Sequence, residues 1–222
     1  MRPTLAATFV VASLVSLLAV LGCKSSPPEP KGPPDPNREG AQLVEVASID
    51  STIVIDVRYA TASNVFGKPL YPVAKCALRR DVAVRLARVQ KRLRGEGLGL
   101  KIWDAYRPLS AQKEMWAMKP DARYVADPKR GSRHNRGAAV DVTLVDRKGY
   151  ELVMPTGFDD FSEKASRTWM KASPDAISNR QILADAMVAE GFVGLPTEWW
   201  HFDSPDSLDY PLIDVPLESI AP

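Results

Sequence analysis

Histidine is scarce in this chain, with only His134 and His201 among 222 residues, and cysteine is equally scarce, with only Cys23 and Cys76. The helical HExxH pattern, in which two ligands four residues apart flank a base, is absent. No segment repeats another. Charge is nearly balanced, 29 Lys and Arg against 27 Asp and Glu spread widely, so the basic footprint of a nucleic-acid binder is missing and no nucleic-acid partner is expected.

What is present is unusual company for each histidine. The first lies in Gly131-Ser132-Arg133-His134-Asn135-Arg136-Gly137-Ala138-Ala139-Val140-Asp141, the second in Glu198-Trp199-Trp200-His201. A hydrolytic zinc centre needs two or three imidazoles, a carboxylate, an open position for water and a nearby carboxylate that is not a ligand. His134, Asp141 and His201 supply candidate ligands, and Glu198 a candidate base. An isolated histidine is more often a surface residue or a satisfied core residue, and spacing alone leaves both readings open.

Strand geometry constrains how these residues meet. The β-branched stretch over 140–145 reads as a strand, which puts Ala139, Asp141 and Thr143 on one face and gives His134 the wrong parity. A turn or bulge at Asn135-Arg136-Gly137 is therefore expected to swing His134 back toward Asp141. Glu198 and His201, three apart, need a bulge or tight helical turn after Pro196.

An uncharged apolar-rich run over residues 5–21 follows Met1-Arg2 and ends at Gly22-Cys23. This reads as a bacterial lipoprotein signal over 1–22, with Cys23 acylated and the protein exported to the cell envelope and anchored to a membrane. Leu21, next to that Gly22-Cys23, is an imperfect match to the usual small residue there; an uncleaved anchor and a secreted form are the other readings. With Cys23 bearing lipid, Cys76 is unpaired, and stability cannot rest on disulfides. Residues 23–42, proline-rich and without other apolar side chains over 24–36, read as a semi-rigid tether. The remaining residues, 43–222, suffice for one catalytic domain with a single core.

Within it, strands are expected over 52–57 and 98–103, and helices over 82–94, 110–118 and 179–190. Asp81 is read as the cap of the first helix and Gly95 as its stop. Arg85, Arg88, Lys91, Arg92 and Arg94 form a basic stripe on that helix, the pattern of a solvated face. A hairpin connection is expected near Lys148-Gly149. The class is α+β: a small, mostly antiparallel sheet flanked by helices.

Several segments together resemble the D-alanyl-D-alanine dipeptidase family of zinc peptidases. They are Arg58-Tyr59-Ala60-Thr61 with Asn64 and Phe66-Gly67-Lys68-Pro69, Trp103-Asp104-Ala105-Tyr106-Arg107-Pro108, the Ser132, His134, Gly137, Ala139, Asp141 pattern, Phe158-Asp159, and Glu198-Trp199-Trp200-His201. The resemblance implies one Zn²⁺ on His134, Asp141 and His201, with Glu198 as the proton shuttle. It implies that Arg107 stabilises the oxyanion, a role weighed against simple pairing with Asp104. Ser132, Tyr59 and Asp159 are implied to hold a small dipeptide substrate from peptidoglycan metabolism, with Asp159 and Tyr59 receiving its ammonium. Trp199 and Trp200 are read as packing residues. Family members known for glycopeptide resistance act in the cytoplasm, so an exported member is expected instead to trim dipeptides released from the wall. The rival readings are a D,D-carboxypeptidase or wall endopeptidase with the same chemistry, and a non-catalytic wall-binding lipoprotein.

Overall fold

The computed structural model describes residues 39–221. The export signal, Cys23 and the tether up to residue 38 lie outside the described residues. A short 3-10 helix, Glu39–Ala41, already belongs to the packed chain: Ala41 is buried and its carbonyl accepts from Arg79 Nη1.

The longest strands sit where β-branched and aliphatic residues are densest. β4 (Leu98–Asp104) and β5 (Ala139–Asp146) run antiparallel, from Leu98 opposite Asp146 to Asp104 opposite Asp141. Every residue of β5 but Asp146 is buried, so both faces are covered. β2 (Val54–Ile55) joins β4 in parallel, and β7 (His201–Asp203) and β6 (Val193–Gly194) extend the other side antiparallel, giving the order β2-β4-β5-β7-β6. The strand expected over 52–57 is thus only two residues long. β1 (Leu43–Glu45) and β3 (Ala77–Arg79) form a separate antiparallel pair, linked through α1 (Val46–Ile49) and the long segment after it.

α2 (Arg80–Gly95) buries Val82, Leu86, Val89 and Leu93, and packs on β4 and on α4 (Pro174–Ala189). Two expectations about α2 are corrected. Its N-cap is Arg79, while Asp81 sits inside the first turn, where a carboxylate still meets the positive end of the helix dipole. Gly95 is its last residue, and the left-handed break falls at Gly97, φ 78°. The basic stripe is partly engaged: Arg88 and Arg92 pair with Glu190 at 2.8 and 3.4 Å, and Arg85 with Asp206 at 3.7 Å. α4 begins five residues before the expected 179. Ser173 caps it, its hydroxyl accepting from Ala176 N at 3.2 Å, with Pro174 in the first turn, where its missing N–H costs nothing. α3 (Leu109–Met118) follows the Arg107-Pro108 corner as expected. The turn at Gly149 (φ 84°) closes a hairpin bridged by Val145 and Glu151.

Trp199 and Trp200 are buried and stack edge-on at 5.5 Å, with Trp103 against Trp199 at 5.7 Å and Phe158 against Trp103 at 5.2 Å. This aromatic layer is packing, as expected, and it supports the polar residues described below. Cys76 is buried, and burial pushes its thiol well above the ordinary range. We expect a thiol reagent to leave Cys76 unmodified in native protein and to label it stoichiometrically in denaturant; rapid native labelling would contradict this packing.

Candidate active site

Asp141 stands near the start of β5, directly opposite His201 on β7 and Asp104 on β4, so one row across three strands carries three polar residues. All three are buried. His134 reaches the row from outside it. Residues His134–Arg136 form a single 3-10 turn that ends at Gly137 in the left-handed region, φ 69°, which supplies the expected change of direction. A Cβ at Gly137 would lie 2.8 Å from Leu43 Cδ2. Gly137→Ala is therefore expected to cost about 1–3 kcal/mol of stability, measured by denaturant unfolding.

The ring nitrogens are sorted by their partners. His134 Nδ1 lies 2.7 Å from the Ala105 carbonyl, an acceptor only, so this nitrogen carries the proton and Nε2 presents a lone pair. His201 Nε2 lies 3.0 Å from Asp203 Oδ1, which turns the lone pair of Nδ1 inward. His134 Nε2, His201 Nδ1 and Asp141 Oδ1 are then 3.1, 3.0 and 3.4 Å apart. Ligand atoms at the usual zinc distances in tetrahedral array stand about 3.3 Å apart, so the three atoms fit one face of such a polyhedron. Without a cation the cluster is electrostatically lopsided. Burial would lower the His201 imidazole, yet its hydrogen bonds to Asp141 and Asp203 push it up to about 10. Burial would raise Asp141, but His134 and His201 hold it far below the carboxylate range. A positive charge among these groups is strongly favoured.

These residues open into a cavity of about 500 Å³, whose lining includes Tyr59, Arg107, Ser132, His134, Asp141, Asp159, Glu198 and His201. All eight residues expected from the sequence meet in this one space. Glu198 arrives on the tight turn after Pro196, where Glu198 N donates to Leu195 O and His201 N to Glu198 O. Burial raises its carboxyl above the ordinary value. Arg107 is buried and donates through Nε and Nη2 to Asp104 Oδ2 at 3.1 and 2.6 Å, and through Nη1 to Gln112 at 2.9 Å. The Asp104 pairing is present, and it leaves two of the five guanidinium N–H groups for another acceptor.

Tyr59 Oη donates to Asp159, 3.0 and 3.2 Å from its two oxygens. Burial foremost, with the nearby Asp141 charge, raises the Asp159 carboxyl to about 7. Asp159 has left-handed backbone, φ 58°, which aspartate tolerates better than most residues. Its neighbour Asp160 is turned to Ser162 N and does not line the cavity. Ser132 Oγ accepts from His134 N at 3.2 Å.

A model of the D-Ala-D-Ala dipeptidase family, Peptidase M15, matches residues 39–217. The chain belongs to this family. It is 41% identical over 172 residues to the D-alanyl-D-alanine dipeptidase of Escherichia coli (strain K12), covering 78% of this chain and 89% of that protein. The D-alanyl-D-alanine dipeptidases of Enterococcus faecalis and Streptomyces coelicolor are each 32% identical, covering 72% and 71% of this chain and 86% and 88% of theirs. A peptidase of this family therefore sits on the α+β fold described above. Sequence reasoning missed Gln112, Asn135 and Asp203. Asn135 is buried, donates to Arg107 O and accepts from Ser132 N, so it ties two segments of the cavity together. Asp203 was legible, since it lies two residues after His201 on the same face of a strand. Gln112 was not, because nothing in the helix pattern distinguishes a buried glutamine from an exposed one.

Proposed function

We propose that this protein is a zinc-dependent dipeptidase acting on D-Ala-D-Ala-like dipeptides in the cell envelope. The observation that supports it best is the convergence of two imidazole lone pairs, each oriented by a partner behind it, with one carboxylate oxygen. His134, Asp141 and His201 would hold the ion, a mixed nitrogen and oxygen set that suits zinc with an open position. When bound, zinc supplies Lewis acidity toward a carbonyl oxygen and toward water.

The chain's own residues account for the rest of the reaction. Glu198, not a member of the ligand set, takes a proton from water and returns it to the leaving amine; its raised basicity suits both transfers. Arg107, held by Asp104 and Gln112, offers its remaining N–H groups to the oxygen that gains charge, without reorganising. Asp159 and Tyr59 receive the substrate ammonium, whose charge stabilises the ionised form of Asp159, and Ser132 contacts the peptide. A free amino terminus is thus part of what the site recognises.

The location is a separate part of the proposal. The apolar run over 5–21 and Gly22-Cys23 support export with a lipid on Cys23, which places the substrate among dipeptides released from the wall. Cys23→Ser is expected to release the protein from membranes or leave its signal uncleaved, and mass spectrometry showing unmodified Cys23 in mature protein would reject lipidation. For the chemistry, purified protein is expected to contain about one zinc per chain and to lose hydrolysis of D-Ala-D-Ala on chelation, regaining it with zinc. Full activity in metal-free protein would overturn the zinc assignment. Equal cleavage of D-Ala-D-Ala and its N-acetylated analogue would replace the dipeptidase by a carboxypeptidase.

A further inference from the structure

We propose that Arg167 is a positioning residue that closes the turn carrying both Glu198 and His201. The inference rests on the function proposed above. That turn, between β6 and β7, is irregular backbone, yet it must hold a base and a ligand in fixed relation. Only a few main-chain bonds brace it from within, among them Leu195 N to His201 O at 3.2 Å.

Arg167 spans the turn from outside. Its Nε donates to Leu195 O at 2.8 Å and its Nη2 to His201 O at 2.5 Å, so one planar group ties the first and last residues together. Its own backbone N donates to Pro196 O at 3.1 Å. The guanidinium lies over the Phe202 ring, 4.1 Å from the centroid, and the residue is half-buried. Its neighbouring segment is seated on the same turn: Trp199 N donates to Ala165 O at 2.9 Å.

Space is reserved for this group. A Cβ on Gly194 would stand 2.3 Å from Arg167 Cζ, while the backbone at Gly194 is not in the left-handed region. A side chain at this position would therefore displace the guanidinium rather than strain the backbone. A lysine could not replace the arginine, because a single ammonium lacks the planar fork that meets two carbonyls at fixed spacing.

Two variants of the full-length protein test this. Arg167→Lys removes the fork, and Gly194→Ala displaces it while leaving the arginine in the sequence. A displacement of about 1 Å in reacting groups can cost on the order of a hundredfold, so both variants are expected to lower kcat at least tenfold with KM changed less than threefold. Both are also expected to alter the visible absorption of the Co²⁺-substituted protein, because His201 moves, and to shift the acidic limb of the kcat/KM profile, because Glu198 moves. Unchanged kcat in folded, metal-loaded variants beside active wild type overturns the role of Arg167 and leaves the dipeptidase reading intact. Wild type inactive on every dipeptide overturns that reading instead. The Co²⁺ spectra then decide the positioning role alone, and spectra identical to wild type in both variants reject it.

Discussion

Glu198→Ala is expected to keep its metal and its fold while kcat for D-Ala-D-Ala falls by about 10²- to 10⁴-fold, the range typical of losing a general acid and base. Glu198 lines the cavity without belonging to the three-atom candidate ligand cluster, so its removal leaves those three side chains in place. KM should change little, because the role proposed for the carboxylate is in the proton transfers and not in substrate affinity. Metal analysis and steady-state kinetics on one preparation check this. Loss of the metal together with the activity would make Glu198 a ligand, and undiminished turnover would remove it from the reaction.

The second large effect concerns Asp159. A desolvated ammonium needs a charged partner, and deleting one member of such a pair commonly costs about 2–5 kcal/mol. At about 1.4 kcal/mol per decade, that is roughly thirtyfold or more in kcat/KM. Asp159→Asn should therefore cripple D-Ala-D-Ala cleavage and narrow the preference over N-acetylated substrate, while Asp160→Asn, altered at a residue outside the cavity, should not.

The same substitution has an opposite effect on stability. With its carboxyl raised to about 7 against an ordinary 3.8, folded protein retains a proton there that unfolded chain has already lost. Stability from this group is thus greatest below about pH 4 and declines as pH rises through about 7. In chelator-treated protein, Asp159→Asn should match wild type near pH 4 and exceed it at pH 8, by a few kcal/mol at most given about 1.4 kcal/mol per pKa unit. Denaturant unfolding at the two pH values tests it, and a variant less stable than wild type at pH 8 would contradict the burial argument.

Much of this site was legible because its residues follow backbone periodicity. Asp141 could be placed on a face of β5 from the alternation over 140–145, and the parity conflict at His134 predicted the turn that Gly137 makes. Glu198 and His201 likewise demanded the tight turn after Pro196. The supporting groups were harder to see. Arg167 acts through carbonyls about thirty residues away, and Gln112 through Arg107 across a corner between strand and helix; no local pattern encodes such contacts. The fold was legible in its long elements and less so at their ends. β2 shrank to two residues because only Val54 and Ile55 pair with β4, whereas α4 lengthened because Ser173-Pro174 starts a helix well before its apolar spacing becomes regular.

Asp141 and His201 are cross-strand partners, so assembly of the site is bound to the alignment of β5 with β7. A slip of one residue would send the His201 ring to the opposite side of the sheet. A chain folded with that error would lack one of the three side chains proposed to hold zinc. On the zinc reading proposed above, metal occupancy would gauge correct folding, and misregistered molecules would be inert bystanders, not hydrolases with relaxed selectivity.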